Sequence, residues 1–448
     1  MTRTLHPLAA AALGLLASLT TGQPAHANQS LFTPGYCLTV GPVFNRNNLN
    51  SAGYNPANAI RLVAADESVR FGLMQVGVQY ELGAIDDLQQ QLDAMDAAVQ
   101  AAKADPTTSE QGVQTINTLL PTLARGARFN LAVGGSLLTP LLIRSERLDG
   151  VFSVMAQAQM QVAGQFLGQS AEIVRDGNGI PTGLRTRSGF DVKAARLTQL
   201  SLGYGTDLTR RLAIDANRGL LDAGLRLNVY QATLYRQVVG FTDANGNGNN
   251  GGSQFSQDTV DRRSASALGV DVGVAWTAAN YQLGATLYNL GSPTFRYADP
   301  TQDSSAANAY AASGLSADQR KAQVALKTHV VIEGSLHSDN KRWLGQTSLA
   351  INEAPNVVGE PQRLATISLS YNAERFEGSW GTLLNYIVPS VRLGLRKNLV
   401  GDKLGSTGLG FSWGIVNVDI NSSQQKVNAD GSSVPRSAGA SLSVAEKF

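Results

Sequence analysis

Four histidines and one cysteine are the side chains of this 448-residue sequence best suited to nucleophilic or general-base work. His6 and His26 fall in an N-terminal segment that reads as a leader, which leaves His329 and His337. Neither lies near a G-x-S-x-G turn, the strained elbow that presents a serine nucleophile to its base. Cys37 stands alone, so this chain has no C-x-x-C pair and no dithiol chemistry. The stretch Asp243-Ala244-Asn245-Gly246-Asn247-Gly248 copies the start of a calcium loop, but its twelfth position is Gln254 where a bidentate Glu is needed. With a single carboxylate it reads as an Asn/Gly surface loop. These residues predict no enzyme, no metal and no cofactor. The net charge of +2 gives no argument for a nucleic-acid partner.

The chemistry that remains is polar and lies at every second residue. In "VMAQAQMQVAGQF", residues 154–166, Gln157, Gln159 and Gln161 alternate with Val154, Ala156, Ala158, Met160 and Val162. Successive side chains of a strand point to opposite faces, so one face is a row of amides and the other is apolar. Arg128, Asn130, Arg226, Asn228 and Asp271 lie on the polar face of similar stretches, and Lys327 is placed with them. Two uses of these charges are open: a docking point for a ligand carboxylate, or internal ion pairs with Asp222 and Asp271.

Alternation recurs near 71–80, 129–134, 192–205, 222–229, 229–240, 268–276, 281–287, 324–335, 345–353, 363–372, 388–397, 406–413, 415–421 and 438–448, giving roughly a dozen to sixteen strands. Helical patterning is confined to 81–126 and 303–322, too little to cover so many apolar faces. A closed barrel in lipid needs no second layer, because acyl chains cover the outside and closure pairs every backbone group. The expected fold class is therefore all-β, a transmembrane antiparallel barrel with its amides facing inward. The long connections 81–126, 170–190, 241–262 and 292–322 belong on the outer side, and short turns such as 278–280 on the other. Gly134, Gly224, Gly273 and Gly284 lie on inward-facing positions, where glycine often marks a bend, and are expected to kink the wall.

In the 81–126 insertion Ile85, Leu88, Leu92, Met95 and Val99 form one stripe of a helix, and Ile116, Leu119, Leu120 and Leu123 a second. Pro121 is expected to kink or break the latter. The stripes either bury each other in a hairpin at the barrel rim or leave Leu88, Leu92, Met95 and Val99 as an open groove for a greasy ligand.

Both ends carry addresses. Arg3, the apolar run Leu8–Leu19 and Ala25-His26-Ala27 predict a signal peptide over 1–27 with cleavage near Ala27. At the other end Leu442, Val444 and Phe448 share a face, and a last strand ending in Phe is the usual mark for the outer-membrane barrel assembly machinery; Glu446 departs from that pattern. Outer-membrane lipid and this machinery are the expected partners.

"GYNPANAI", residues 53–60, resembles the end of the N-terminal hatch in FadL-like outer-membrane transport barrels, with Asn55, Pro56 and Ala57 matching the element. "YQLGATLYNLGSPTFRY", "ERFEGSWGTLLNYIVPSVRLGLRKNLVG" and "TGLGFSWGIVNVDI" look like stretches of a related group, the TraF-like family of the plasmid transfer operon. The resemblance covers about residues 50–422. It implies a monomeric barrel of about fourteen strands over 61–448 and a hatch over 28–60. It further implies passive uptake of fatty-acid-like or aromatic small molecules. The alternative is a structural or interaction barrel linked to conjugal transfer, secretion or surface attachment.

Overall fold

The computed structural model describes residues 32–45, 48–186, 188–240, 261–297, 322–340, 342–372, 388–429 and 431–445. The expected signal peptide, the Asn/Gly loop at 243–252, the helical stretch at 303–321 and the terminal Phe448 lie outside them.

Among the described residues fourteen antiparallel strands close into a barrel. They are β1 (Val69–Leu82), β2 (Arg128–Leu137 and Leu141–Ser145), β3 (Gly150–Leu167), β4 (Gly189–Asp207), β5 (Leu220–Gly240), β6 (Asp261–Thr277) and β7 (Tyr281–Leu290). The circle continues with β8 (His329–His337), β9 (Trp343–Ala350), β10 (Leu364–Tyr371), β11 (Ser390–Asn398), β12 (Gly405–Trp413), β13 (Val416–Ser423) and β14 (Ser437–Ala445). Each strand pairs with the next in sequence, and β14 pairs with β1, with Val76 opposite Leu442. Closure leaves no sheet edge, so the ladder satisfies the backbone groups that lipid cannot.

In the lipid-facing part the alternation has the inverted sense expected. On β5, Leu225, Leu227 and Val229 are exposed while Gly224, Arg226 and Asn228 are buried. Leu200 and Leu202 on β4, Leu268, Val272 and Val274 on β6, and Ile367 and Leu369 on β10 continue the belt. At the end carrying the short turns, Phe71, Phe152, Tyr204, Trp343, Tyr371, Phe411 and Trp413 ring the outside, with Trp343–Tyr371 and Phe152–Tyr204 centroids 5.0 and 5.1 Å apart. Amphipathic rings settle where hydrocarbon meets headgroups, so this girdle marks one membrane interface.

Strands β3 to β6 continue past the belt at the other end, and there the pattern turns over. The outward positions become Arg196, Thr198, Gln231, Ser264 and Ser266. The inward ones become Ala163, Ala195, Leu197, Ala232 and Leu234, packed with Phe295, Tyr297, Val324, Leu326, Val357 and Val358 from two inserted loops. The projecting part is thus built as a water-soluble domain is, with apolar residues inside.

The connections 83–127 and 351–363 lie at this projecting end, whereas 208–219 lies at the girdle end. The first carries α1 (Leu88–Ala104) and α2 (Ser109–Gly126). Asp105 accepts the Thr107 backbone N–H at 3.0 Å and opens the second helix through a short 3₁₀ turn. Pro121 does not break α2, which runs to Gly126 because packing of Ile116, Leu120 and Leu123 outweighs one missing hydrogen bond. The stripe read as a groove is covered. Met95 and Val99 are fully buried against α2, Ala171 and Leu184, and Leu88 and Leu92 pack at the margin. The pairing of two apolar stripes has closed it.

Candidate functional site: the plug, its seat and a break in the wall

Residues 34–45 and 48–63 fill the lumen as short helical turns and connecting loops, and almost all of them are buried. The expected hatch limit at residue 60 falls inside a turn, Ala59–Leu62, and the first strand begins only at Val69. Asn55 organises the centre. Its Oδ1 accepts the Ala57 N–H at 3.0 Å, opening the 3₁₀ turn Pro56–Asn58, while its Nδ2 donates to Val274 O and to Glu333 Oε1, both at 3.1 Å.

This turn lies on a seat of glycines. Gly205 of β4, Gly224 of β5 and Gly273 of β6 are directly paired across the three strands. A Cβ at Gly205 would stand 2.7 Å from Pro56 O, and one at Gly224 or Gly273 would run closer still into Pro56, Ala57 and Asn55. Gly284 of β7 makes room for Glu333 and the Asn55 amide. Where these glycines were expected to kink the wall, they make room for the plug: Gly205 and Gly224 for the backbone of Pro56 and Ala57, Gly273 and Gly284 for the side chains of Asn55, Pro56 and Glu333. Gly134 likewise faces Phe32. A second seat, Gly394 paired with Gly408, receives Thr39 from the turn Cys37–Val40. Burial pushes the neighbouring Cys37 thiol up to about 11.

The charged and amide residues tie plug to wall. Arg226 pairs with Asp271 at 2.7 Å and donates to Gly53 O at 2.6 Å. Asn228 donates to Asp271 at 2.7 Å, Gln199 to Asn228 at 2.9 Å, and Gln157 to Gln199 at 2.7 Å, one chain of amides across four strands. Gln161 donates to Asn130, and Gln159 accepts the Phe32 N–H at 2.6 Å. These inward positions are those read from the sequence, and internal pairing is what their charges do. Asp222 pairs with Arg61 of the plug (2.6 Å) rather than with Arg226. Arg128 stands at the rim, 3.1 Å from Glu81 and 2.9 Å from Asp402. Lys327 is exposed in the turn before β8 and is not in the lumen.

Beside the seat the ladder between β2 and β3 is interrupted, while the Leu138 N–H and Pro140 O keep their bonds to Leu73 and Gly72 of β1. Between the pairs Ser136–Gln157 and Leu141–Val154, the four residues 137–140 face only 155 and 156. Leu138 takes a left-handed φ of 49°, costly for a branched side chain, and Pro140 has no N–H to give to the ladder. The Thr139 hydroxyl fills in, accepting the Ala156 N–H at 3.1 Å and lying 2.9 Å from Leu137 O. Leu137 and Leu138 are 71% and 65% exposed on the lipid side. Behind the break is a cavity of about 60 Å³. Thr139, Met155 and Gln157 form its wall side, Gly53 and Tyr54 its plug side, and Arg226, Tyr230, Tyr288 and His329 its floor. Sequence reading passed over Thr139, Met155, Tyr230 and Tyr288, and its only signal for the break was Pro140 inside an apolar run.

Residues 52–349 match the protein family described as "F plasmid transfer operon, TraF, protein". No curated protein sequence matches the chain. Among solved structures, the Pseudomonas putida toluene transporter TodX aligns at 11% identity over 95% of this chain and 100% of its own, with a TM-score of 0.46. The Ralstonia pickettii toluene transporter TbuX gives 11%, 94% and 99%, with a TM-score of 0.46. A Pseudomonas aeruginosa FadL homologue gives 11%, 95% and 100%, with a TM-score of 0.41.

Proposed function

This chain belongs to the TraF protein family of the F plasmid transfer operon, and from that premise we propose that it is an outer-membrane conduit through which small hydrophobic molecules pass passively. The observation that carries this reading is the interruption of β2 directly in front of a cavity between plug and wall. A passenger that reaches the cavity has a lateral way out through residues 137–140 into the bilayer. A hydrophobic molecule would take that way, since the exit needs no passage through water. The cap on the outer mouth supports the same class of passenger: Phe295, Tyr297, Val324 and Leu326 meet Leu197 and Leu234 there. Passage requires the plug side to shift, because about 60 Å³ is well below the ~150 Å³ that holds a benzene-sized ring. The barrel acts as a monomer, without cofactor, delivered by a signal peptide and assembled through its last strand.

The test is to seal the wall. Replacing Leu137–Pro140 with two strand-forming residues restores continuous pairing of β2 with β3. Cells expressing the native barrel are expected to take up labelled toluene faster than cells lacking it, and the sealed variant to fall back to their rate. Uptake that is independent of the barrel sinks the proposal.

A second reading, a structural barrel serving conjugal transfer, secretion or surface attachment, is favoured by the polar chain from Gln157 to Asp271, which fills the middle of the lumen. On that reading the sealed variant keeps full function in a mating or attachment assay.

A further inference from the structure

His329 occupies an unusual position. The ring is 1% exposed, borders the cavity, and stacks on Tyr288 at 4.7 Å and 13°. Its Nδ1 lies 3.0 Å from Lys327 O. A carbonyl oxygen can only accept, so Nδ1 carries the proton of the neutral ring and Nε2 is left with a bare lone pair. That nitrogen is buried and has no hydrogen-bond partner among the described residues. A buried acceptor without a donor is unfavourable, and such groups are normally paired.

The rest of the cavity narrows what the donor can be. Arg226 is already neutralised by Asp271 and held by Gly53 O, and Asp271 also receives Asn228 and the Asn289 N–H at 2.8 Å. A carboxylate passenger would therefore add an uncompensated charge. Tyr54, Tyr230 and Tyr288 offer aromatic surface, and Met155 stands between the cavity and the wall break as a flexible, polarizable filler. Resting on the conduit reading above, we propose that this cavity is a binding site for a single-ring aromatic hydroxy compound of the phenol class. Its O–H donates to His329 Nε2 and its ring lies among the tyrosines, in space enlarged as Met155 swings aside and the plug side shifts. A plain hydrocarbon of the same size fills the space but leaves Nε2 unpaired.

The native barrel, purified and held in lipid nanodiscs, is titrated calorimetrically with phenol and with toluene. Phenol is expected to bind about tenfold more tightly, the size of one neutral hydrogen bond. His329→Phe keeps the stacked ring and removes the acceptor, so the two affinities should converge. His329→Gln restores an acceptor and should recover part of the preference. Equal binding of phenol and toluene to the native barrel, binding of neither, or a phenol preference that survives in His329→Phe each overturns the proposal. Toluene flux into barrel-containing vesicles is measured alongside. Flux with equal binding removes the phenol site and leaves the conduit standing, whereas phenol-selective binding without flux removes the conduit alone.

Discussion

The plug meets its barrel in two opposite ways. Along β4 to β6 a row of paired glycines brings the Asn55–Ala57 turn into backbone contact with the wall. Along β2 and β3 the ladder lapses for four residues, and between plug and wall there is unfilled space. Both regions face lipid on the outside, but the seat keeps its alternation while the consecutive Leu137 and Leu138 are both exposed where the ladder lapses. Absent side chains make one wall tight, and extra backbone makes the other loose. The plug is held by backbone contact at its glycine seats and by packing on Leu142 and Val151, and the space left beside residues 137–140 is where it has room to shift.

Arg226 joins the two flanks, since it holds the plug at Gly53 and also borders the cavity. Arg226→Ala leaves Asp271 buried without its counter-charge. The expected loss is about 3–5 kcal/mol, read from unfolding in urea in lipid. Filling the seat is next: Gly273→Val forces Asn55 off the wall, with an expected cost of about 1–3 kcal/mol and release of the plug. Cys37 reports that release. With its thiol held near 11, maleimide labelling of the native barrel stays slow from pH 7 to 9. A released plug exposes an ordinary thiol, and its labelling should climb steeply over the same range as thiolate forms. Labelling that is equally slow in Gly273→Val shows that the seat does not hold the plug.

On the loose flank, Thr139→Val removes the hydroxyl that accepts the Ala156 N–H. The expected cost is smaller, about 1 kcal/mol, with faster hydrogen exchange at Ala156 and faster toluene flux. Should flux fall instead, the break is not the way out. Smallest of all, Lys327→Ala is expected to change stability by no more than about 0.5 kcal/mol and flux not at all. A marked drop in flux would return this lysine to the lumen wall.

Period-two alternation made the barrel legible, and the inward faces of Gln157, Gln161, Arg226, Asn228 and Asp271 follow from it. Pattern says which face a residue is on but not what stands opposite. Gly224 and Gly273 were therefore legible as inward glycines, while their role as a seat needed the plug in place. Lys327 was misplaced because the turn at 326–328 interrupts the strand phase. The projecting part was illegible for another reason: apolar residues at Ala232 and Leu234 continue the alternation of β5 while its meaning reverses. Sequence carries the period across that boundary and gives no sign of where lipid stops. The break at 137–140 hid inside "SLLTPLLI", where apolar content suggests an unbroken strand and only Pro140 objects.

The glycine row also constrains how the molecule is made. Its three members come from strands separated by as many as 68 residues (273 − 205), and the turn they cradle lies some 150 residues before the first of them (205 − 55). No single hairpin presents the cradle, so the N-terminal stretch has nowhere to rest until three neighbours stand side by side. Once β14 meets β1, the cylinder is sealed and bulky segments cannot be threaded in. The early part of the chain must then wait inside the half-built curl, and the last strand locks it there.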